Sequence, residues 1–437
     1  MQEKIKKSLE SKALPAALFT VFLDAIGVAI LIPIFAALVL PGEFQVIPQH
    51  WSIRSGFIMV GWLSGLYSLF TFVAAPILGQ LSDKYGRKRV LALSLFGTSI
   101  GYAVFAVGVI QKNIPLLFLG RIIDGITGGN IAVARAIIGD VSTPKHRTRN
   151  FGLIGAMFGI GFVLGPYLGG RLATAGIPFF NAFGRQALTT PSWFNPATPF
   201  WFAAIVALIN VMLVLFVLPE TVKHKTHGKV VWSKSLSDIK RAFSIKGLRN
   251  ILPVNFLFSG GFTFFTTFFS FTMIERIPNF TPANVADYFS LIGIWIAVFQ
   301  GLLIPLVAKK LKNYQVVRFS LFGAAGAVLI ILSVTSFKAA LVVSPLIPLF
   351  IALTMANITA LVSSVVSKEI QGEAMGILSS VEAMAQGIPA ILSGYIASIA
   401  IWLPSVTAAT LMTIAGIVFW LIFKPSMIKH EGLPAEH

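Results

Sequence analysis

The chain has 437 residues, of which 56% are hydrophobic and only 11% charged, with a formal net charge of +18 and no cysteine. Soluble domains carry about 25% charged residues, so this composition excludes an ordinary soluble globular protein and points to one that lives in a bilayer. The missing cysteines exclude disulfides, thiolate zinc sites and thiol nucleophiles.

The polar start, residues 1–12, has no signal-peptide pattern. The first apolar run, 14–40, is long enough to span and shows no small-residue cleavage site, so it is expected to stay. It holds Leu23-Asp24-Ala25-Ile26-Gly27. Asp24 lies roughly ten residues deep, about 15 Å along a helix, near the midplane. An ionised carboxylate is costly there unless a cation such as Arg121 compensates, which makes Asp24 a reasonable proton carrier.

Two further runs, 56–79 and 90–111, enclose a short basic hairpin, Gly79-Gln80-Leu81-Ser82-Asp83-Lys84-Tyr85-Gly86-Arg87-Lys88-Arg89. One carboxylate stands at the helix end, four cations follow, and Gly86 permits a tight turn. Arg87 lies four residues after Asp83, and Asp140, at the inner end of the fourth run, is a second partner for it.

The fourth run, 115–140, contains Gly120-Arg121-Ile122-Ile123-Asp124-Gly125 and then Asn130. An arginine at the depth of Arg121 needs water or a carboxylate. Asp124 is three residues on, on the same helix side. Arg135 follows four turns after Arg121, about 40° round an unbroken helix. These charges read either as a coupling or substrate site or as a ladder that only aids folding.

The fifth run, 150–172, carries Gly161, Gly165, Pro166, Gly169 and Gly170, with glycines at four-residue spacing that permits close helix packing. The stretch 173–198 holds Phe179, Phe180, Phe183, Trp193 and Phe194, expected to rest at the interface as aromatic anchors. A sixth run follows at 199–218. The polar stretch from Pro219 to about Leu248 places Leu236, Ile239, Phe243 and Leu248 on one face, so it is either an amphipathic helix on the membrane surface or a solvated linker.

Six more runs lie at 249–274, 285–308, 316–335, 341–366, 373–399 and 403–424. Runs this long can span only as helices, because backbone polar groups must be satisfied internally. The seventh is crowded with Phe262, Phe264, Phe265, Phe268 and Phe269, most of them expected to face lipid. Asn255, Gln300, Asn357 and Gln386 are cavity candidates beside Asn130 and Arg135. Glu382, well inside the eleventh run, is a substrate ligand, a second proton site or a structural hydrogen-bond partner.

With the N-terminus inside, 26 Lys and Arg fall on the inner side and 6 on the outer, with Arg121 and Arg135 inside a span. That bias puts both termini in the cytoplasm. The high net charge therefore marks orientation, and no nucleic-acid partner is expected.

The hairpin from Gly79 to Leu91 resembles the loop between helices two and three of major facilitator superfamily transporters. The resemblance implies that Asp83 sits near the N-terminal end of helix eleven and that Arg87 pairs with nearby acids, so that Gly79, Asp83, Gly86, Arg87 and Asp140 form an inner gate. The second-half stretch from Gly301 to Lys312 lacks the aspartate, so the lock is one-sided. The segment at Arg121 resembles the superfamily's helix-four motif, whose arginine is associated with proton transfer. Gly161 to Gly170 resembles the motif associated with antiporters. Asp24-Ala25-Ile26-Gly27 and the stretch from Leu119 to Gly170 resemble tetracycline/proton antiporters. The ninth run has no acid where those antiporters carry a functional one, which argues against tetracycline as cargo.

The expected architecture is an all-α membrane protein of about twelve transmembrane helices in two six-helix bundles around a central cavity. Residues 1–218 form one bundle, 219–248 a cytoplasmic linker, 249–424 the second bundle and 425–437 a tail. The expected function is proton-coupled export of a small amphiphilic molecule by a monomer in a bacterial inner membrane, with no cofactor. Protons couple through Asp24, Arg121 and Asp124, and the partners are the small-molecule substrate, protons and membrane lipids. A lipid or metallophore transporter, a proton symporter and a transport-dead sensor remain as alternatives. An enzyme is disfavoured, since all six histidines fall in predicted loops or tails without metal spacing. No phosphate-cradling Gly-Lys-Ser/Thr loop is present, so direct drive by ATP is not expected.

Overall fold

The computed structural model describes residues 2–142, 147–177, 189–222, 230–233, 247–366 and 370–427, with short pieces at 181–182, 185–186, 237, 240–241 and 243–245. Among these residues, 12 helical segments are long and apolar enough to cross a membrane. The protein is an all-helical, multi-pass membrane protein. A two-residue antiparallel ribbon, β1 (Asn181–Ala182) with β2 (Arg185–Gln186), is the one sheet among the described residues.

In the first half the helices are α1 (Gln2–Ala29), α2 (Ile34–Val39), α3 (Ile53–Tyr85), α4 (Arg87–Ile110), α5 (Ile114–Thr127), α6 (Asn130–Val141), α7 (Arg147–Leu172) and α8 (Thr198–Phe216). The second half holds α9 (Leu248–Arg276), α10 (Pro282–Val298), a π-helical stretch (Phe299–Leu303), α11 (Ile304–Ala308), α12 (Asn313–Leu332), α13 (Phe337–Val343), α14 (Leu346–Ser364), α15 (Gln371–Ile399) and α16 (Leu403–Ile422). The chain sorts into two compact units. One comprises Met1–Gly56, Leu66–Lys234 and Thr281–Ser290; the other comprises Phe57–Gly65, Ser235–Phe280 and Leu291–His437.

In the first unit α1 packs on α6, α7 and α8, while α4 packs on α5 and α8. Small and branched side chains fill its core, among them Ala13, Ala17 and Val21 of α1, Leu91 and Leu95 of α4, Val133, Ile137 and Ile138 of α6, and Val211 and Val214 of α8. The glycine register of α7 explains the close approach of α1. A Cβ on Gly161 would lie 2.5 Å from the Phe22 carbonyl oxygen and 2.6 Å from Ala25 Cβ. On Gly165 it would lie 2.8 Å from both the Ile26 carbonyl and Ala29 Cβ, and on Gly169 it would overlap the Ile30 carbonyl. Three glycines one turn apart thus give α1 a groove. Pro166 lies inside α7 and is buried.

Four sequence expectations change. The fourth run is two helices, broken at Gly128-Gly129, where the glycines have low helical propensity and Gly129 presses on Ala75 of α3. The angle computed for Arg135 along an unbroken helix therefore does not hold. The first run is likewise interrupted between Ala29 and Ile34, next to Pro33. The eighth run contains the π-helical stretch, because Pro305 has no N–H to give to the Gly301 carbonyl. Finally, the phenylalanines of the seventh run do not mostly face lipid: Phe264, Phe265, Phe268 and Phe269 are at most 3% exposed. In the second unit α9 packs on both α15 and α16, so its rings fill the interior and meet edge-on, as Phe265 and Phe269 do at 5.3 Å.

The aromatic residues Phe179, Phe180 and Phe183, and Leu236 and Ile239 of the amphipathic face, lie outside the described residues. Trp193 is exposed and Phe194 half-buried, with their rings 4.6 Å apart. Phe243 is exposed and Leu248 buried.

Candidate functional site

The basic hairpin builds a compact polar cluster. Helix α3 ends at Gly86, whose φ of 105° is open to glycine and strained for other residues. The turn starts α4 at Arg87 and aims its guanidinium back along α3. Arg87 Nη2 pairs with Asp83 Oδ1 at 2.6 Å, Nε with Asp140 Oδ2 at 3.1 Å, and Nη1 donates to Ser82 Oγ at 2.6 Å. The two acids predicted for Arg87 are therefore both on it.

Sequence reasoning missed the third acid. Glu220, just after α8, accepts from the backbone N–H groups of Arg87 at 2.9 Å, Thr221 at 3.0 Å and Val222 at 3.2 Å. A carboxylate on the first N–H of α4 meets both an orphan donor and the positive end of the helix dipole. Thr221 Oγ1 donates to Asp140 Oδ2 at 3.1 Å. A Cβ on Gly86 would overlap the Glu220 carboxylate, so the glycine serves packing as well as the turn. The Pro-Glu-Thr after the sixth run carried the signal, since an acid so close to a span end invites a basic loop. Around Gly79, by contrast, nothing among the described residues lies within 4 Å of where a Cβ would stand.

A second cluster is buried inside the first unit. Arg121 Nη1 pairs with Asp124 Oδ2 at 2.9 Å, with both side chains at most 4% exposed. The guanidinium also lies 4.4 Å from the centre of the Tyr67 ring of α3, a cation–π contact. Asp24 is 4% exposed. Its Oδ1 accepts from Asn130 Nδ2 at 2.9 Å. The Gly128-Gly129 break makes this bond available, because Asn130 is the first residue of α6 and its side chain turns towards α1. Asp24 Oδ2 and Asn130 Oδ1 are both buried without a hydrogen-bond partner among the described residues. Each residue of the hydrogen-bonded pair thus keeps one acceptor without a donor. A proton on Asp24 would supply the missing donor.

The remaining candidates have plainer surroundings. Arg135 is half-buried. Asn255 of α9 is buried, and its Nδ2 has no partner among the described residues. Asn357 of α14 donates to the carbonyl of Leu353 at 2.7 Å, within its own helix. Gln300 is exposed in the π-helical stretch, and Glu382 and Gln386 of α15 are half-buried. Gly170, one residue off the groove register, is buried, and its carbonyl accepts from Thr174 Oγ1 at 3.0 Å. A further pair also escaped the sequence reading: Arg171, at the end of α7, pairs with Asp287 of α10.

The sequence profile of the Major Facilitator Superfamily matches residues 17–351. The chain belongs to that superfamily. As a member it is a transporter and not an enzyme. It is 28% identical to the class C tetracycline resistance protein of Escherichia coli, over 95% of this chain and 96% of the relative. It is 25% identical to multidrug resistance protein 2 of Bacillus subtilis strain 168, over 96% of this chain and 98% of that one. Its fold matches the crystal structure of a human organic anion transporter with a TM-score of 0.67, at 23% identity, covering 94% of this chain and 99% of the other.

Proposed function

We propose that this transporter exports a small amphiphilic molecule in exchange for protons, by alternating access. The observation that carries the reading is Asp24: a buried carboxylate with one oxygen held by Asn130 and the other without a donor among the described residues. Such a group completes its bonding by taking a proton and leaves an unmatched charge on losing it. Arg121 and Asp124 are already paired, so the proton has Asp24 as its natural seat. The glycine groove of α7 couples α1 closely to its neighbour, so a change of charge on Asp24 is felt by the helix packing. Arg87, with Asp83, Asp140 and the Glu220 cap, serves as a cytoplasmic latch. The relatives named for tetracycline and multidrug resistance support efflux of a drug-like cargo.

The same reading places the chain as a monomer in a bacterial inner membrane, with both termini cytoplasmic. The charge bias between loops supports that orientation.

The test is Asp24→Asn in proteoliposomes under an imposed pH gradient. Cargo is first found by a screen for ligands that raise the melting temperature of the purified protein. The variant is expected to bind the hit and to lose accumulation against a gradient. Gradient-driven accumulation at the wild-type rate would remove Asp24 from the mechanism.

A further inference from the structure

Asp24 does not face its neighbours through Asn130 alone. A narrow crevice in the first unit, with room for about one water-sized group, is walled by Asp24 of α1, Thr98 and Tyr102 of α4, and Phe202 and Val206 of α8. Tyr102 is 6% exposed. Its hydroxyl sits directly over Gly27, where any Cβ would overlap it outright. Gly27 is three residues after Asp24, on the same side of α1. The glycine therefore seats a phenol beside the carboxylate.

The next residue back, Gly101, holds the other acid close. A Cβ there would lie 2.9 Å from the Asp124 backbone nitrogen and 3.0 Å from Asp124 Cβ. Adjacent positions of α4 thus touch both acid-bearing helices. The charged and titratable groups acting on the Tyr102 phenol are Asp124 and Arg121 of α5, Tyr67 of α3 and Asp24 of α1. Those acting on Asp24 are Asn130 of α6, by its hydrogen bond, and Asp124. The α8 wall is apolar, with Phe202, Ala203, Val206 and Ala207.

We propose that Tyr102 is a positioning residue for coupling, its hydroxyl held by Gly27 to donate to the unpartnered oxygen of deprotonated Asp24, directly or through one water in the crevice. The inference rests on the reading of Asp24 as proton carrier. The phenol keeps its proton throughout. When Asp24 takes a proton from hydronium, the new O–H bond forms on the carboxylate, a water molecule is left behind, and the phenol loses its bond to a charged oxygen. The hydroxyl thus stabilises the charged form and sets the pH at which Asp24 loads.

The test reads the proton itself and needs no cargo. The full chain in proteoliposomes is titrated by infrared spectroscopy, following the protonated-carboxyl band that disappears in Asp24→Asn. Tyr102→Phe keeps the ring and removes one oxygen. Its midpoint is expected to rise by about 0.5 to 1 pH unit, the size of one hydrogen bond. Gly27→Ala, which displaces the phenol, is expected to move the midpoint the same way. The double variant is expected to move no further than either alone. If Gly27→Ala fails to fold, Tyr102→Phe decides alone. An unchanged midpoint in folded Tyr102→Phe, even with slower transport or a lower melting temperature, overturns the proposal and leaves the phenol as packing. If no carboxyl band is lost in Asp24→Asn, the carrier reading itself falls, and this inference with it.

Discussion

The two arginine clusters of the first unit are built alike and finished differently. Arg87 has two acids, a serine and a capped backbone, and Asp140 also accepts from Thr221. Arg121 pairs with Asp124 and lies over an aromatic face, and Asp24 and Asn130 each keep an acceptor oxygen without a donor among the described residues. The first cluster lies at a span end, where water helps and Asp83 is 43% exposed. The second lies within the spans, where an unmet acceptor is expensive. A network whose arginine is met at Nε, Nη1 and Nη2 has one preferred arrangement and suits a latch. A network short of one donor has two states, with and without a proton, and suits a coupling site.

The largest effect should come from breaking the buried pair. Asp124→Ala takes away the carboxylate paired with the buried Arg121 cation, and the expected loss is about 3–5 kcal/mol of stability. Replacing both residues by apolar side chains of similar volume should recover most of it. Thermal unfolding in detergent checks this, and a single variant as stable as the parent would mean that water reaches the cluster.

Asp24→Asn sharpens the contrast differently. The new amide puts a neutral group where a buried carboxylate oxygen had no donor among the described residues. Stability is expected to hold or rise while coupling disappears, an exchange of function for stability. A melting temperature that falls by many degrees in this variant would show that Asp24 holds the fold together.

At the other cluster the changes are smaller. Glu220→Ala removes the acceptor for the Arg87 N–H at the start of α4 and for the N–H groups of Thr221 and Val222 after α8, and the expected loss is about 1 kcal/mol, in the range of a helix cap. Hydrogen exchange should speed up at the first turn of α4 and not in α6. Smallest of all, Asp83→Asn touches a partly solvated pair and is expected to cost under about 1 kcal/mol. Its effect should shrink with added salt, whereas that of Asp124→Ala should not.

Much of the molecule was legible in the chain. The long apolar runs dictated spanning helices, because only a helix satisfies its own backbone in hydrocarbon. The hairpin cluster was readable because its partners are close in sequence: Asp83 and Arg87 stand four residues apart on either side of a glycine turn. The Arg121–Asp124 pair was readable for the same reason, as one helical turn. Glycines four residues apart announced a groove, though not that α1 fills it.

Tertiary structure decided what depends on distant partners. Nothing local says that Glu220 caps a helix 133 positions away, or that Asn130 reaches Asp24 across 106. The break at Gly128-Gly129 could be suspected from the glycines, but packing on α3 decides it. The phenylalanines of α9 misled because a crowded aromatic face looks the same whether it meets lipid or two other helices. Gly27 shows the difference most simply: in the sequence it is a small residue after an acid, and only the fold reveals that its missing side chain is the space occupied by the Tyr102 hydroxyl.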